Sequence, residues 1–81
     1  MSTTVTSEQV EGVVTEALVK FGTPVELITP DATFEALDVD SLDLVEMAQI
    51  IDDEFGVELT GNDVKGIATI GELNGLIVSR A

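Results

Sequence analysis

Asp40-Ser41-Leu42-Asp43-Leu44-Val45-Glu46-Met47-Ala48-Gln49-Ile50-Ile51-Asp52-Asp53-Glu54-Phe55 is the stretch that decides the fold. Turned by about 100° per residue, it places Leu44, Met47, Ala48, Ile51 and Phe55 on one stripe. That stripe is the core face of an amphipathic helix expected from Ser41 to Phe55. Asp43, Glu46, Asp53 and Glu54 take the far side, and Asp52 flanks the core on the other edge. Leu42 and Val45 belong to neither face and are expected at the surface, beside Gln49. Single apolar residues at a surface need no explanation. Two of them next to a serine at a helix start, ringed by carboxylates, have the make-up of a docking patch.

Upstream, Val10, Val13, Val14, Ala17, Leu18 and Phe21 recur at helical spacing and predict a first helix. Thr6 and Gln9 form a capping box at its start, and Gly22 followed by Pro24 stops it. The connection from Gly22 to Thr33 holds Val25, Leu27 and Ile28, so it is expected to lie against the bundle. Phe34 and Leu37 are two further anchors before the second helix. Downstream, a short helical turn is expected around Asn62 to Ile67. A last helix follows Thr69, where Thr69-Ile70-Gly71-Glu72 reads as another capping box, and Ile70, Leu73, Leu76 and Ile77 give it a buried face. Gly71 and Gly75 weaken that helix by roughly 1 kcal/mol each relative to Ala. No segment alternates with period two. The expectation is all-α: a small four-helix bundle, three helices longer and one short, in one domain over 1–81 with residues 1–5 flexible.

The totals exclude more than they assign. With 81 residues and only three Phe as aromatics, the chain has room for one aliphatic core. It has no Cys, hence no disulfide, thiolate metal site or thiol nucleophile, and no His, the commonest general base. Met1 to Gln9 lacks the basic start and apolar run of a signal peptide, and no apolar stretch nears the roughly 20 residues of a membrane span. The chain is therefore expected in the cytoplasm, as a monomer. Three basic and 16 acidic side chains give a net charge of −13, with twelve acids and no base between Lys20 and Lys65. Such a surface repels nucleic acid and anionic membranes and attracts proteins with basic patches.

Ser41 follows Asp40 at the start of the second helix, and either of them can be a plain N-cap. A functional reading of the serine has its own physical ground. Free N–H groups and the positive end of the helix dipole favour a phosphate on that hydroxyl. The run Phe34-Glu35-Ala36-Leu37-Asp38-Val39-Asp40-Ser41-Leu42-Asp43-Leu44-Val45-Glu46-Met47 resembles the modification motif of acyl carrier proteins. Ile51-Asp52-Asp53-Glu54-Phe55-Gly56-Val57-Glu58-Leu59 and Ile67-Ala68-Thr69-Ile70-Gly71-Glu72-Leu73 continue the resemblance over nearly the whole chain.

The resemblance implies a carrier and not an enzyme. Ser41 would take 4′-phosphopantetheine from coenzyme A through a phosphodiester, and acyl groups would ride on the arm as thioesters. Asp40 and Leu42 would flank the attachment point. Asp40, Asp43, Glu46 and Asp53 would meet basic patches on a phosphopantetheinyl transferase, a ketosynthase, an acyltransferase and tailoring enzymes, with Leu42 and Val45 as the apolar centre. Phe34, Leu44, Met47, Ile51, Ile67 and Leu73 would line the space that receives an acyl chain. No metal is implied.

Some positions depart from the family pattern. Asp38 stands where Gly is usual, a place Asp can hold because it tolerates unusual backbone angles. Gln49 makes the docking patch more polar, and Thr60, Gly61 and Gly66 loosen the third helix. These departures lean toward polyketide or other specialised acyl assembly; a housekeeping fatty-acid carrier and a peptidyl or aryl carrier of non-ribosomal peptide assembly are the alternatives. A Ser41 enzyme lacks an activating base nearby. A calcium loop starting at Asp38 fails, since its fifth, sixth and twelfth places hold Leu42, Asp43 and Gln49. A generic acidic interaction domain with an unmodified Ser41 is the last alternative.

Overall fold

A computed structural model describes residues 5–81. Four helices occur in it: α1 (Ser7–Lys20), α2 (Ser41–Phe55), the short α3 (Gly61–Lys65) and α4 (Ile70–Arg80). α1 packs on α4 and α2. The expected bundle of three longer helices and one short one is what forms.

The local signals act as physical chemistry requires. Thr6 caps α1 by accepting from the Gln9 N–H at 3.2 Å, while the Gln9 side chain accepts from the Thr6 N–H at 3.1 Å. Gly22 ends that helix at φ +101°, and Gly56 ends α2 at φ +68°, both conformations that suit a residue without a Cβ. α3 begins one residue earlier than the expected turn, at Gly61, because Thr60 is its cap and Asp63 closes a reciprocal box, and it ends two residues earlier, at Lys65. At α4 only half of the expected box forms. Glu72 N–H donates to the Thr69 hydroxyl at 3.2 Å, but the Glu72 carboxylate pairs with that same hydroxyl and not with the Thr69 N–H.

The core joins the helices through Val10, Val14, Ala17 and Leu18 of α1, Met47 and Ile51 of α2, and Ile70, Leu73 and Ile77 of α4. Phe34, Val39 and Val57 complete it from the connections, and Leu37, Leu44, Phe55 and Ile67 pack half-buried around it. Val5 also packs against this core; the other residues of the expected flexible start, 1–4, lie outside the described residues. In α4 the buried positions are Ile70, Leu73, Asn74 and Ile77, with Leu76 only half-covered.

The connection after α1 departs from expectation. Pro24 starts a 3₁₀ turn, Val25–Leu27, that leaves Val25 and Leu27 exposed and brings only Ile28 onto the core. Further on, the chain is stitched to the entry of α4. Phe34 N–H donates to Ala68, Ile70 N–H to Ala32 and Gly71 N–H to Pro30, all at 3.0–3.1 Å, around an isolated Thr33–Thr69 bridge. These bonds fix the segment that leads into α2, and with it the position of Ser41.

Candidate functional site

The turn before α2 decides how Ser41 is presented. Asp38 takes φ +60°, the left-handed region that Gly would occupy at least cost and that Asp tolerates. The turn folds Val39 back onto the core, where its N–H donates to the Phe34 carbonyl at 3.0 Å. With Phe34 and Val39 pinned inward, Asp40 and Ser41 stand at the surface.

Between the two possible caps the structure chooses Asp40. Its Oδ1 accepts from the Asp43 N–H at 2.9 Å, and Asp43 Oδ2 reaches back to the Asp40 N–H at 3.5 Å. Ser41 is thus the first residue inside α2, exposed, and none of the hydrogen bonds among the described residues uses its hydroxyl. A serine that is not spent on capping is chemically free. It also lies at the positive end of a 15-residue helix, next to N–H groups that suit an anion.

Of the expected docking residues, Leu42 is 75% and Val45 58% exposed, large values for apolar side chains. Leu42, Glu46 and Asp53 share one outer stripe of α2 with Gln49. Asp53 stands twelve residues beyond Ser41, about 18 Å along the axis at 1.5 Å per residue, so the patch is long rather than round. Asp43 is half-buried and occupied with the cap, which leaves Glu46 as the free carboxylate nearest the serine on that stripe.

The expected acyl-chain residues do not all meet in one place. An open groove of about 600 Å³ runs from Ser41 between α2 and α3. Leu44, Val45 and Ala48 form its α2 wall, and Leu59, Gly61 and Val64 its α3 wall. Gln49, Asp52, Glu58, Thr60 and Lys65 edge it with polar groups. Leu44 alone of the expected six lines this groove. Phe34, Met47, Ile51 and Leu73 are packed inside the core, and Ile67 is half-buried against it. Ala48 reads as core in the sequence because a groove wall and a core face share one apolar pattern, whereas Leu59 and Val64 belong to no apolar stripe that would mark them. Val45 and Gln49 serve both the groove and the outer patch.

The groove's α3 wall carries the chain's one strong ion pair among the described residues. Arg80 of α4 donates Nη1 and Nη2 to the two oxygens of Asp63, each at 2.6 Å. The guanidinium, together with the Thr60 N–H, holds the Asp63 carboxyl down at about 2, and the pair raises Arg80 in turn. Among the described residues no group of His, Cys, Asp and Glu is placed to hold a metal ion, and no helix is long and apolar enough to cross a membrane.

These features can anchor a phosphate-linked group at Ser41, shelter an apolar chain beside it and offer acidic side chains to a basic partner. A family model for the phosphopantetheine attachment site matches residues 11–77. A curated acyl carrier protein of Saccharopolyspora erythraea is 40% identical over 67 residues, which span 82% of this chain and 67% of the relative. Since the family match runs from α1 through the Asp40 cap, Ser41 and the groove into α4, the chain belongs to the acyl carrier protein family, with 4′-phosphopantetheine as its covalent cofactor.

Proposed function

We propose that Ser41 is the attachment point of the arm, and that the protein carries acyl intermediates as thioesters for polyketide or other specialised acyl assembly. The observation that carries this reading is the exposed Ser41 hydroxyl, left free because Asp40 caps α2. The Ser41 oxygen forms a phosphodiester with the phosphopantetheine half of coenzyme A, the adenosine bisphosphate half leaves, and the hydroxyl proton is lost. The arm supplies the thiol that a chain without Cys cannot.

The chain's own residues hold and present the cargo. Asp40 and Asp43 keep the first turn of α2 closed, so Ser41 has one fixed place. Leu44, Val45, Ala48, Leu59 and Val64 give an acyl chain an apolar shelter, with Phe34, Met47, Ile51, Ile67 and Leu73 as the packed core behind or beside it. Leu42 and Val45 form the apolar centre of a docking patch; Glu46 and Asp53 steer basic faces of a phosphopantetheinyl transferase, ketosynthase, acyltransferase or tailoring enzyme toward it. The polar rim at Gln49 and Thr60, and the acid at Asp38, support specialised rather than housekeeping assembly. The protein works as a cytoplasmic monomer and a carrier, not a catalyst.

Loading tests the thioester. The protein is incubated with hexanoyl-coenzyme A and a broad-specificity phosphopantetheinyl transferase, then treated with neutral hydroxylamine. The intact mass should gain one hexanoyl-phosphopantetheine and afterwards lose the hexanoyl group alone. A hexanoyl group that survives hydroxylamine is attached elsewhere, and the carrier reading fails.

A further inference from the structure

Side-chain hydrogen bonds among the described residues fall into two ranges. Most join residues three positions apart, inside a cap, a turn or, for Ser79 and Leu76, a helix. The remainder span 17 or 22 positions, and every one of them leaves Arg80. Besides its fork on Asp63, Arg80 Nη1 donates to the Glu58 carbonyl at 3.5 Å. One guanidinium at the end of α4 therefore grips both ends of the 58–63 segment.

α3 has little else to hold it. It is five residues long, buries none of them, and is bracketed by Gly61 and Gly66. A helix this short is not stable on its own. Asp63 links the tether to the helix start, because its Oδ2 also accepts from the Thr60 N–H and the Thr60 hydroxyl, each at 2.9 Å. Yet residues 58–61, 64 and 65 make up the whole wall of the groove opposite α2. The wall that faces Ser41 thus has Leu59 packed on the core but a helix with no buried residue, and its side-chain hydrogen bonds to another element all come from Arg80.

We propose that Arg80 is a positioning residue: its two-point pair with Asp63 and its hold on Glu58 fix α3 as the groove's outer wall and so set the groove's width beside Ser41. A bidentate guanidinium–carboxylate pair has the geometric specificity for this, which a single ammonium contact lacks. Releasing it lets α3 fray outward from its glycines while the packed core of α1, α2 and α4 stays closed. The effect on an acyl chain rests on the reading that the groove shelters one; the tether does not.

Amide hydrogen exchange of the full chain in its apo form, wild type against Arg80→Gln, tests the tether. Local opening of α3 should speed exchange at residues 61–66 by about tenfold or more, while the amides of Val14, Met47 and Ile51 change by less than about twofold. Arg80→Lys, which keeps the charge but not the fork, should fall between. Unchanged exchange at 61–66, or an equal rise in every helix, overturns the proposal. The hexanoyl-loaded protein tests the groove: loading should shift the Leu59 and Val64 methyl resonances, and Arg80→Gln should reduce that shift by at least about half. An undiminished shift in a variant whose α3 exchanges fast refutes control of the groove's width. If loading moves no methyl in the wild type while the exchange result holds, the groove's sheltering role is wrong and the tether stands.

Discussion

Asp38 shows how a single residue sets the geometry of the site. Its φ of +60° carries a steric cost that Gly avoids, and the turn it makes delivers Asp40 and Ser41 to the head of α2. Asp38→Gly should therefore raise the melting temperature slightly, whereas Asp38→Val should cost about 1–2 kcal/mol in denaturant unfolding. Two helix glycines behave oppositely to each other. A Cβ at Gly75 meets nothing within 4 Å, so Gly75→Ala should stabilise by about 0.5–1 kcal/mol. A Cβ at Gly71 would sit 3.0 Å from the Pro30 carbonyl oxygen, which is itself bonded to the Gly71 N–H, so Gly71→Ala should give no such gain. The sequence named Asp38 as the tolerated departure and Ser41 as the special serine. It left Asp40 and Ser41 equal as caps, because both residue types can do the job. The tie is broken only by the backbone at Asp40, extended at ψ −177°, which aims its carboxylate at the Asp43 N–H.

Elements with a strong period were legible, and those without one were not. α1 and α2 follow from apolar residues at helical spacing bounded by caps and glycines, and α2 begins and ends where the pattern does. α3 carries no such stripe, so its limits come from the Thr60–Asp63 box alone. Its tether to Arg80, 17 positions away, has no local signature at all. That pair makes a pH prediction. Asp63 is held at about 2, below its ordinary 3.8, so folding favours its charged form. The resulting stability is complete above the ordinary value and is lost as pH falls through the lowered one. The melting-temperature gap between wild type and Asp63→Asn should be full near neutral pH and close as pH falls from about 4 toward 2; a gap that persists there contradicts the pair's role. On α2 the outer stripe makes a kinetic prediction. Glu46→Lys should slow modification by the transferase several-fold and flatten its salt dependence, since rim charges act on association rate. Glu11→Lys on α1 changes net charge equally and should act far less. Equal slowing by both would mean that only total charge matters.

Across the whole molecule, charge opposes the core. Twelve carboxylates lie between Lys20 and Lys65 with no intervening base, within a net charge of −13, and they repel one another most in the folded state. Salt screens them, with a Debye length near 8 Å at physiological ionic strength, so the melting temperature should rise from low to high salt, and more per mole with magnesium. A flat profile would show the charges to be too dispersed to matter. A surface of that sign repels phosphate backbones and favours the approach of basic proteins, a property visible in composition. What composition could not give is the groove beside the serine, which needs Leu59 and Val64 brought opposite Leu44 by a helix only five residues long. The attachment of the arm at Ser41 is tested most directly by intact mass after incubation with coenzyme A and a broad-specificity transferase. The wild-type protein should gain one phosphopantetheine, and Ser41→Ala, which leaves the Asp40 cap untouched, should fold with the same helicity and gain none. An unmodified wild type, or an alanine variant that is still labelled, would contradict it.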